Sequence, residues 1–278
     1  DINLDGFDLS LMGATKQRER FDRWDGSPFF GLFDDVTTIF VITPQEFETN
    51  TFEGRLVSTG DGSIEWIAGV WYEKEDGELS NIWLTETSRT DLFTADGDFL
   101  SDRDEFDDSE ELAVYGEVGY RFTDQAKLTL GYRWANLKLD SGMLSADGAF
   151  DNPVSIGVDE STQEDINTYK IHFEYRFNDD ILGHALASSG YRAGGWNRSG
   201  VGQISASSQY GTDSLWNYEL GVRTSWLDNR LVVNAVAYYI DWSDIQLRTY
   251  DLASFSQKIK NAGKAEIFGL ETEIRYQA

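Results

Sequence analysis

Cysteine is absent from the 278 residues, which excludes a disulfide framework, a thiolate zinc site and a cysteine nucleophile. Histidine is nearly absent, and two residues, His172 and His184, leave little room for histidine-based catalysis. Positive charge is scarce: 23 Lys+Arg stand against 49 Asp+Glu, a net charge of −26 that repels phosphates and argues against a nucleic-acid partner. Long apolar runs are missing too. The best is LVVNAVAYYI, Leu231 to Ile240, far short of the roughly 20 residues a membrane helix needs. A transmembrane β-barrel survives this exclusion, because its strands need only about 9 to 11 residues and alternate outward with inward side chains. The mean hydropathy of −0.43 fits such a barrel as well as it fits a soluble protein. The opening residues, DINLDGFDLS, carry no basic-then-apolar leader, so the chain is expected to be processed or to be a piece of a longer one.

What is present is aromatic. With 17 Phe, 13 Tyr and 9 Trp, beside 26 Gly and only 3 Pro, the chain is too rich in rings to be disordered and should fold mostly as β structure. Two-residue alternation is the strongest local signal. In 109–122 one parity holds Leu112, Val114, Gly116, Val118, Tyr120 and Phe122, and the other holds Glu117, Gly119 and Arg121. After Thr123-Asp124-Gln125 the alternation resumes with Leu128, Leu130, Tyr132 and Trp134 against Lys127, Thr129, Gly131 and Arg133. Similar hairpins are expected around Gly60-Asp61-Gly62, Asn178-Asp179 and Asp228-Asn229. The strands should run to roughly 12 to 16 residues, where soluble sheets favour about 5 or 6.

Between the hairpins lie polar stretches rich in Asp, Gly and Ser at 22–44, 79–108, 140–161, 194–213 and 246–263, expected to be long loops. Short turns at one end and long loops at the other is the layout of an outer-membrane barrel. Trp66 and Trp226 near the short turns, with Trp134, Trp216 and Trp242 near the loop ends, suggest two belts at the water–lipid boundaries. The alternative is a soluble solenoid or sandwich with an aromatic core. About ten strands are expected, an antiparallel all-β meander with Val114, Val118, Leu128, Leu130, Ile171, Phe173, Leu220, Val222, Phe268 and Leu270 facing lipid.

Four segments carry a family resemblance as an ordered set: YGEVGYRFTDQAKLTLGYRW at 115–134, TYKIHFEYRFNDDILGHALASSGYRAGGWN at 168–197, SLWNYELGVRTSWLDNRLVVNAVAYYIDWSDIQL at 214–247 and NAGKAEIFGLETEI at 261–274. They resemble the TonB-dependent outer-membrane receptors, in particular the iron-complex or siderophore branch. The N-terminal LSLMGATKQRERFDRWDG and TFEGRLVSTGDGSIEWIAGVWYE are similar to middle-barrel strands of that family. The resemblance implies that residues 1–278 are a central portion of a transmembrane barrel of 22 strands. It also implies an N-terminal plug, a box that contacts TonB and closing strands, none of which matches anything in this sequence. The implied partners are outer-membrane lipid, TonB through the N-terminal region of the full receptor, and a small iron chelate as ligand.

Candidate sites are few. Tyr191, Arg192, Trp196, Asn197 and Arg198 cluster at a loop end, where arginine suits carboxylate, catecholate or hydroxamate oxygens and rings stack on flat ligands. The competing and favoured reading makes Tyr191 and Trp196 girdle rings and Arg192 a strut to lumen carboxylates. Arg23 and Trp24, with Arg18 and Arg20, form a second candidate at the loop end of the first strand. The acidic run of Asp96, Asp98, Asp102, Asp104, Asp107, Asp108, Glu110 and Glu111 lacks the order of a calcium loop and reads as a solvated stretch. A two-residue turn at Asn178-Asp179 would set His172 opposite residue 185 and His184 on the other face, so no shared metal is expected. No hydrolase arrangement, phosphate loop or cofactor motif is present, so neither catalysis nor a cofactor is expected. The expected function is energised uptake of a ferric siderophore or other iron complex; the alternatives are carbohydrate or cobalamin uptake, a passive porin, or a structural surface β-protein.

Overall fold

The computed structural model describes residues 2–25, 39–60, 62–85, 99–147, 158–197, 208–251 and 256–277. Eleven strands form one antiparallel sheet: β1 (Ile2–Leu4), β2 (Phe7–Asp25), β3 (Ile39–Ser58), β4 (Ile64–Thr85), β5 (Phe99–Arg121), β6 (Ala126–Asp147), β7 (Val158–Asn178), β8 (Ile181–Arg192), β11 (Asp213–Trp226), β12 (Leu231–Ser243) and β15 (Lys264–Tyr276), paired in that order. Two further hairpins stand apart, β9 (Gly195–Asn197) with β10 (Ser208–Tyr210), and β13 (Gln246–Asp251) with β14 (Ser256–Asn261).

The all-β meander is as expected, with three differences. The main sheet has eleven strands, because Asp5-Gly6 reverses the chain between Leu4 and Phe7; Gly6 takes φ +89°, which glycine adopts without strain. Strands β2 to β7 run 19 to 23 residues, well past the expected length, so they absorb much of the stretches first read as loops. Stretches 194–213 and 246–263 contain hairpins rather than plain loops.

Register sorts the side chains. One cross-strand row reads Trp66, Val118, Leu130, Ile171, Ala187, Tyr218, Tyr239 and Phe268. The adjacent row on the other face reads Glu117, Gly131, Lys170, Ser188 and Asn217. Large apolar side chains on the first face are open: Val118 51 %, Leu220 69 % and Phe268 85 %. Few side chains are buried at all; Val41, Ala113, Ala135, Leu137 and Ile166 are the apolar ones among the described residues. A soluble domain of this size would cover such a face with a second layer. A barrel wall uses it against hydrocarbon, and the sandwich alternative fails here.

The apolar band has clear limits. Above it lies the outward row Thr15, Asn50, Lys74, Glu110, Lys138 and Gln163. Near that edge Tyr132, Tyr169, Trp216, Tyr218 and Tyr239 form a continuous chain of rings with centroids 5.5, 6.3, 6.1 and 6.2 Å apart. Near the short turns, Tyr120–Phe122 and Tyr175–Phe177 pack edge to face at 4.7 and 4.9 Å. These are the two expected belts. Trp242 is a correction: it belongs to the inward row with Leu215, and the Arg192 guanidinium lies 5.2 Å from its ring.

Beyond the band the outward face is a ladder of exposed polar pairs, with Lys74 donating to Asp76 and Lys138 to Asp140 at 2.6 Å. The Lys138 hydrogen bond holds the Asp140 carboxyl below the usual range, whereas burial pushes Asp108, its cross-strand neighbour, up.

Candidate ligand-contact site at the loop end

Arg192 ends β8 directly opposite Asp213, the first residue of β11. Its Nε and Nη2 donate to one oxygen of Asp213 at 3.1 and 2.5 Å, and Asp213 is 2 % exposed. The same oxygen accepts the backbone N–H of Gln246 at 3.1 Å, and Arg192 also donates to the Gln246 carbonyl at 3.3 Å. The Gln246 amide in turn donates to the carbonyls of Ala193 at 2.6 Å and Gly211 at 3.1 Å. A buried carboxylate thus gathers the guanidinium and one backbone amide, which offsets the cost of burying its charge. Arg192 is a strut, and this network ties β13 to the ends of β8 and β11.

Asn197 is likewise engaged. Its side-chain amide donates to the Ile259 carbonyl at 2.7 Å and accepts the Ile259 N–H at 2.6 Å, replacing a strand neighbour between β9 and β14. Asn261 repeats the device on Gly211, accepting from its N–H at 2.6 Å and donating to its carbonyl at 2.9 Å, and it also donates to the carbonyl of Asp244 at 2.8 Å. The two hairpins are therefore held to each other and to the wall by side-chain amides.

Tyr191 turns inward rather than into a belt. The ladder between β7 and β8 stops at Lys170 and Ser188, and the Tyr191 hydroxyl donates at 3.3 Å to Glu111, which is also paired with Arg133. Trp196 pairs in register with Gln209, and its indole N–H is buried with no acceptor among the described residues. Arg198 lies outside the described residues, as do Asp96 and Asp98. The structure brings Tyr191, Arg192, Trp196 and Asn197 to one end of the wall and leaves Arg23 and Trp24 six places away in the sheet order, roughly 29 Å along it at about 4.8 Å per strand. Consecutive strand residues point to opposite faces, so Arg23 and Trp24 cannot meet one ligand together; Trp24 shares the inward row with Val41. The acidic partners Asp213 and Glu111, and the amides of Gln246 and Asn261, are what reading for arginine and aromatic clusters missed. Asp213 was visible as the opposite charge facing Arg192 once the register was fixed.

His172 and His184 are a second correction. They share the inward face, with ring centroids 5.8 Å apart. The reversal uses Asp179-Asp180, because the Asn178 side chain accepts the Asp180 N–H at 2.9 Å, and a bulge between Arg176 and Asn178 then shifts the register. His172 consequently pairs with Leu186, and His184 with Glu174.

An inward face of struts and an outward apolar band closed by two ring belts define the wall of a transmembrane barrel. The comparisons give that wall a family. The family described as TonB dependent receptor-like, beta-barrel, matches residues 2–277, and the chain belongs to it. The pesticin receptor of Yersinia enterocolitica is 24 % identical over 245 residues, 86 % of this chain and 33 % of that receptor. Among solved structures, the ferric yersiniabactin uptake receptor FyuA from Yersinia pestis superposes with a TM-score of 0.79 at 20 % identity, covering 99 % of this chain and 38 % of that one. The ferric-catecholate import receptor Fiu of E. coli K12 gives 0.66 at 13 % identity, covering 99 % and 43 %. The chain spans about a third of the length of the curated relatives it matches. That family is made of transport receptors rather than enzymes.

Proposed function

We propose that this wall belongs to a receptor that takes up a ferric siderophore or a related iron complex through the outer membrane, driven through TonB, with lipid against the apolar band. The observation that supports the reading most is the family match across residues 2–277, joined to relatives whose names concern iron-complex uptake. Within the described residues Arg192 is neutralised by Asp213, so its own charge is not free for a ligand, while the β13–β14 hairpin beside it carries Arg248, Lys258 and Lys260. Ligand contact is therefore assigned to the aromatic and hairpin surface around Tyr191 and Trp196, with Arg198 added from the sequence alone, while Arg192 and the buried Asn197 hold that surface in shape. Trp24, on the inward row, remains a separate, weaker contact, and Arg23, on the opposite face, does not join it.

The test is uptake of radiolabelled ferric chelates of catecholate, hydroxamate and carboxylate type by cells carrying the intact receptor, with and without TonB. TonB-dependent uptake of one class, reduced by Trp196→Ala, supports the proposal. TonB-independent passage of unrelated small solutes would identify a passive pore instead.

A further inference from the structure

The inward histidine pair is a site that the uptake reading does not use. His172 of β7 and His184 of β8 are the two histidines of the chain, and the register places them diagonally on one face with rings 5.8 Å apart and inclined at 65°. Glu174 lies two residues from His172 on the same face and directly across from His184. His172 and Glu174 line one open cavity with Glu65, Glu117, Lys127 and Lys170. In that cavity Lys127 is paired with Glu65 at 2.5 Å and Lys170 with Glu117 at 3.0 Å. The two lysines therefore have carboxylates other than Glu174.

The seat of His184 is built by a missing side chain. Its imidazole lies across Gly221 of β11, where a Cβ would collide with the ring. We propose that His172 and His184 bind a single first-row divalent metal ion on the lumen face, with water and a rotated Glu174 completing its coordination. With metal–nitrogen bonds of about 2.0–2.1 Å, two rings on one tetrahedral ion have centres roughly 5.2 Å apart, so the observed 5.8 Å lies close to that separation and rotation of the two rings would complete the approach. Among the described residues no three histidine or carboxylate groups already converge on one point, so the site is two imidazoles in place and a carboxylate within reach. Imidazole pairs of this kind favour Cu²⁺, Ni²⁺ and Zn²⁺ over Ca²⁺ or Mg²⁺. The site is independent of the loop-end surface, because it sits toward the short turns of the wall.

The test uses the intact receptor in detergent, purified without a histidine tag, and Cu²⁺ as the probe. Equimolar Cu²⁺ is expected to give an electron paramagnetic resonance spectrum with two-nitrogen coupling. His172→Gln and His184→Gln should each weaken binding at least about tenfold, since loss of even an outer-shell partner costs a metal site that much. Gly221→Ala should weaken it by displacing His184 while leaving both imidazoles present. Retention of the barrel's resistance to unfolding in detergent separates loss of the site from loss of the fold. Unchanged Cu²⁺ binding in the His172→Gln/His184→Gln double variant, or no stoichiometric binding by the parent, overturns the proposal.

Discussion

The two halves of the wall reach beyond the membrane band by different means. In the first half, β2 to β7 continue as strands well past the outward row from Thr15 to Gln163, carrying exposed pairs such as Lys74–Asp76 and Lys138–Asp140. In the second half β8, β11, β12 and β15 have only 12 to 14 residues, and short hairpins carry the wall outward, fastened by Asp213, Asn197, Gln246 and Asn261. The first solution spreads its hydrogen bonding along the backbone ladder and can lose any one surface pair. The second concentrates it in a few buried side chains, so single substitutions there should cost far more.

The largest expected effect ignores that difference. Val118→Arg in the first half and Val222→Arg in the second each place a charge near the middle of the band and should each cost about 2 to 4 kcal/mol of stability in lipid. Equal losses in both, read from unfolding in vesicles, mean the band is continuous; a loss in one alone would break the common frame.

Next comes the contrast itself. Asp213→Ala removes a 2 %-exposed acceptor shared by Arg192 and the Gln246 N–H, and should loosen the hairpins by about 2 to 3 kcal/mol. Hydrogen exchange of residues 246–261 is the readout, and exchange unchanged from the parent would count against a fastened rim. By comparison, Lys138→Ala breaks an exposed pair and should cost less than about 0.5 kcal/mol. A Lys138→Ala loss as large as that of Asp213→Ala would erase the distinction between the halves.

The smallest effect is on pH. Asp140 has its folded pKa lowered by Lys138, so its contribution is present above the unfolded value and is lost as pH falls through the folded one. Asp108 has its pKa raised by burial, so its charge opposes folding near neutrality and that opposition fades as pH drops through the raised value. The β5–β6 extension should therefore gain slightly on mild acidification and lose below about pH 4, near the unperturbed carboxylate range. Asp108→Asn should abolish the gain and keep the loss, as measured by exchange at residues 104–110.

The membrane band was legible in the sequence because period-two alternation is a local signal: Val114, Val118, Leu130, Ile171, Phe173, Leu220, Val222, Phe268 and Leu270 all lie on the outward apolar face with substantial exposure. The strand extensions were not legible, since beyond the band both faces meet water and the alternation stops carrying apolar side chains. The histidine placement failed through one residue of turn position, because an Asx bond and a bulge leave no mark in composition but move every side chain across the sheet. At the loop end the residue types were legible as a cluster, whereas their partners Asp213, Glu111, Gln246 and Asn261 come from strands far apart in sequence and required the register.

The face assignment is tested most directly along β5. Residues 1–278 carry no cysteine, so single cysteines can be placed at 114, 115, 117, 118 and 119 of an intact receptor whose other cysteines are replaced by serine, and probed in vesicles with a water-soluble maleimide and with a lipid-phase fluorescence quencher. The account predicts lipid quenching at 114 and 118, and aqueous access from the lumen at 115, 117 and 119. Aqueous labelling at 114 and 118, or the same behaviour at every position, would contradict it.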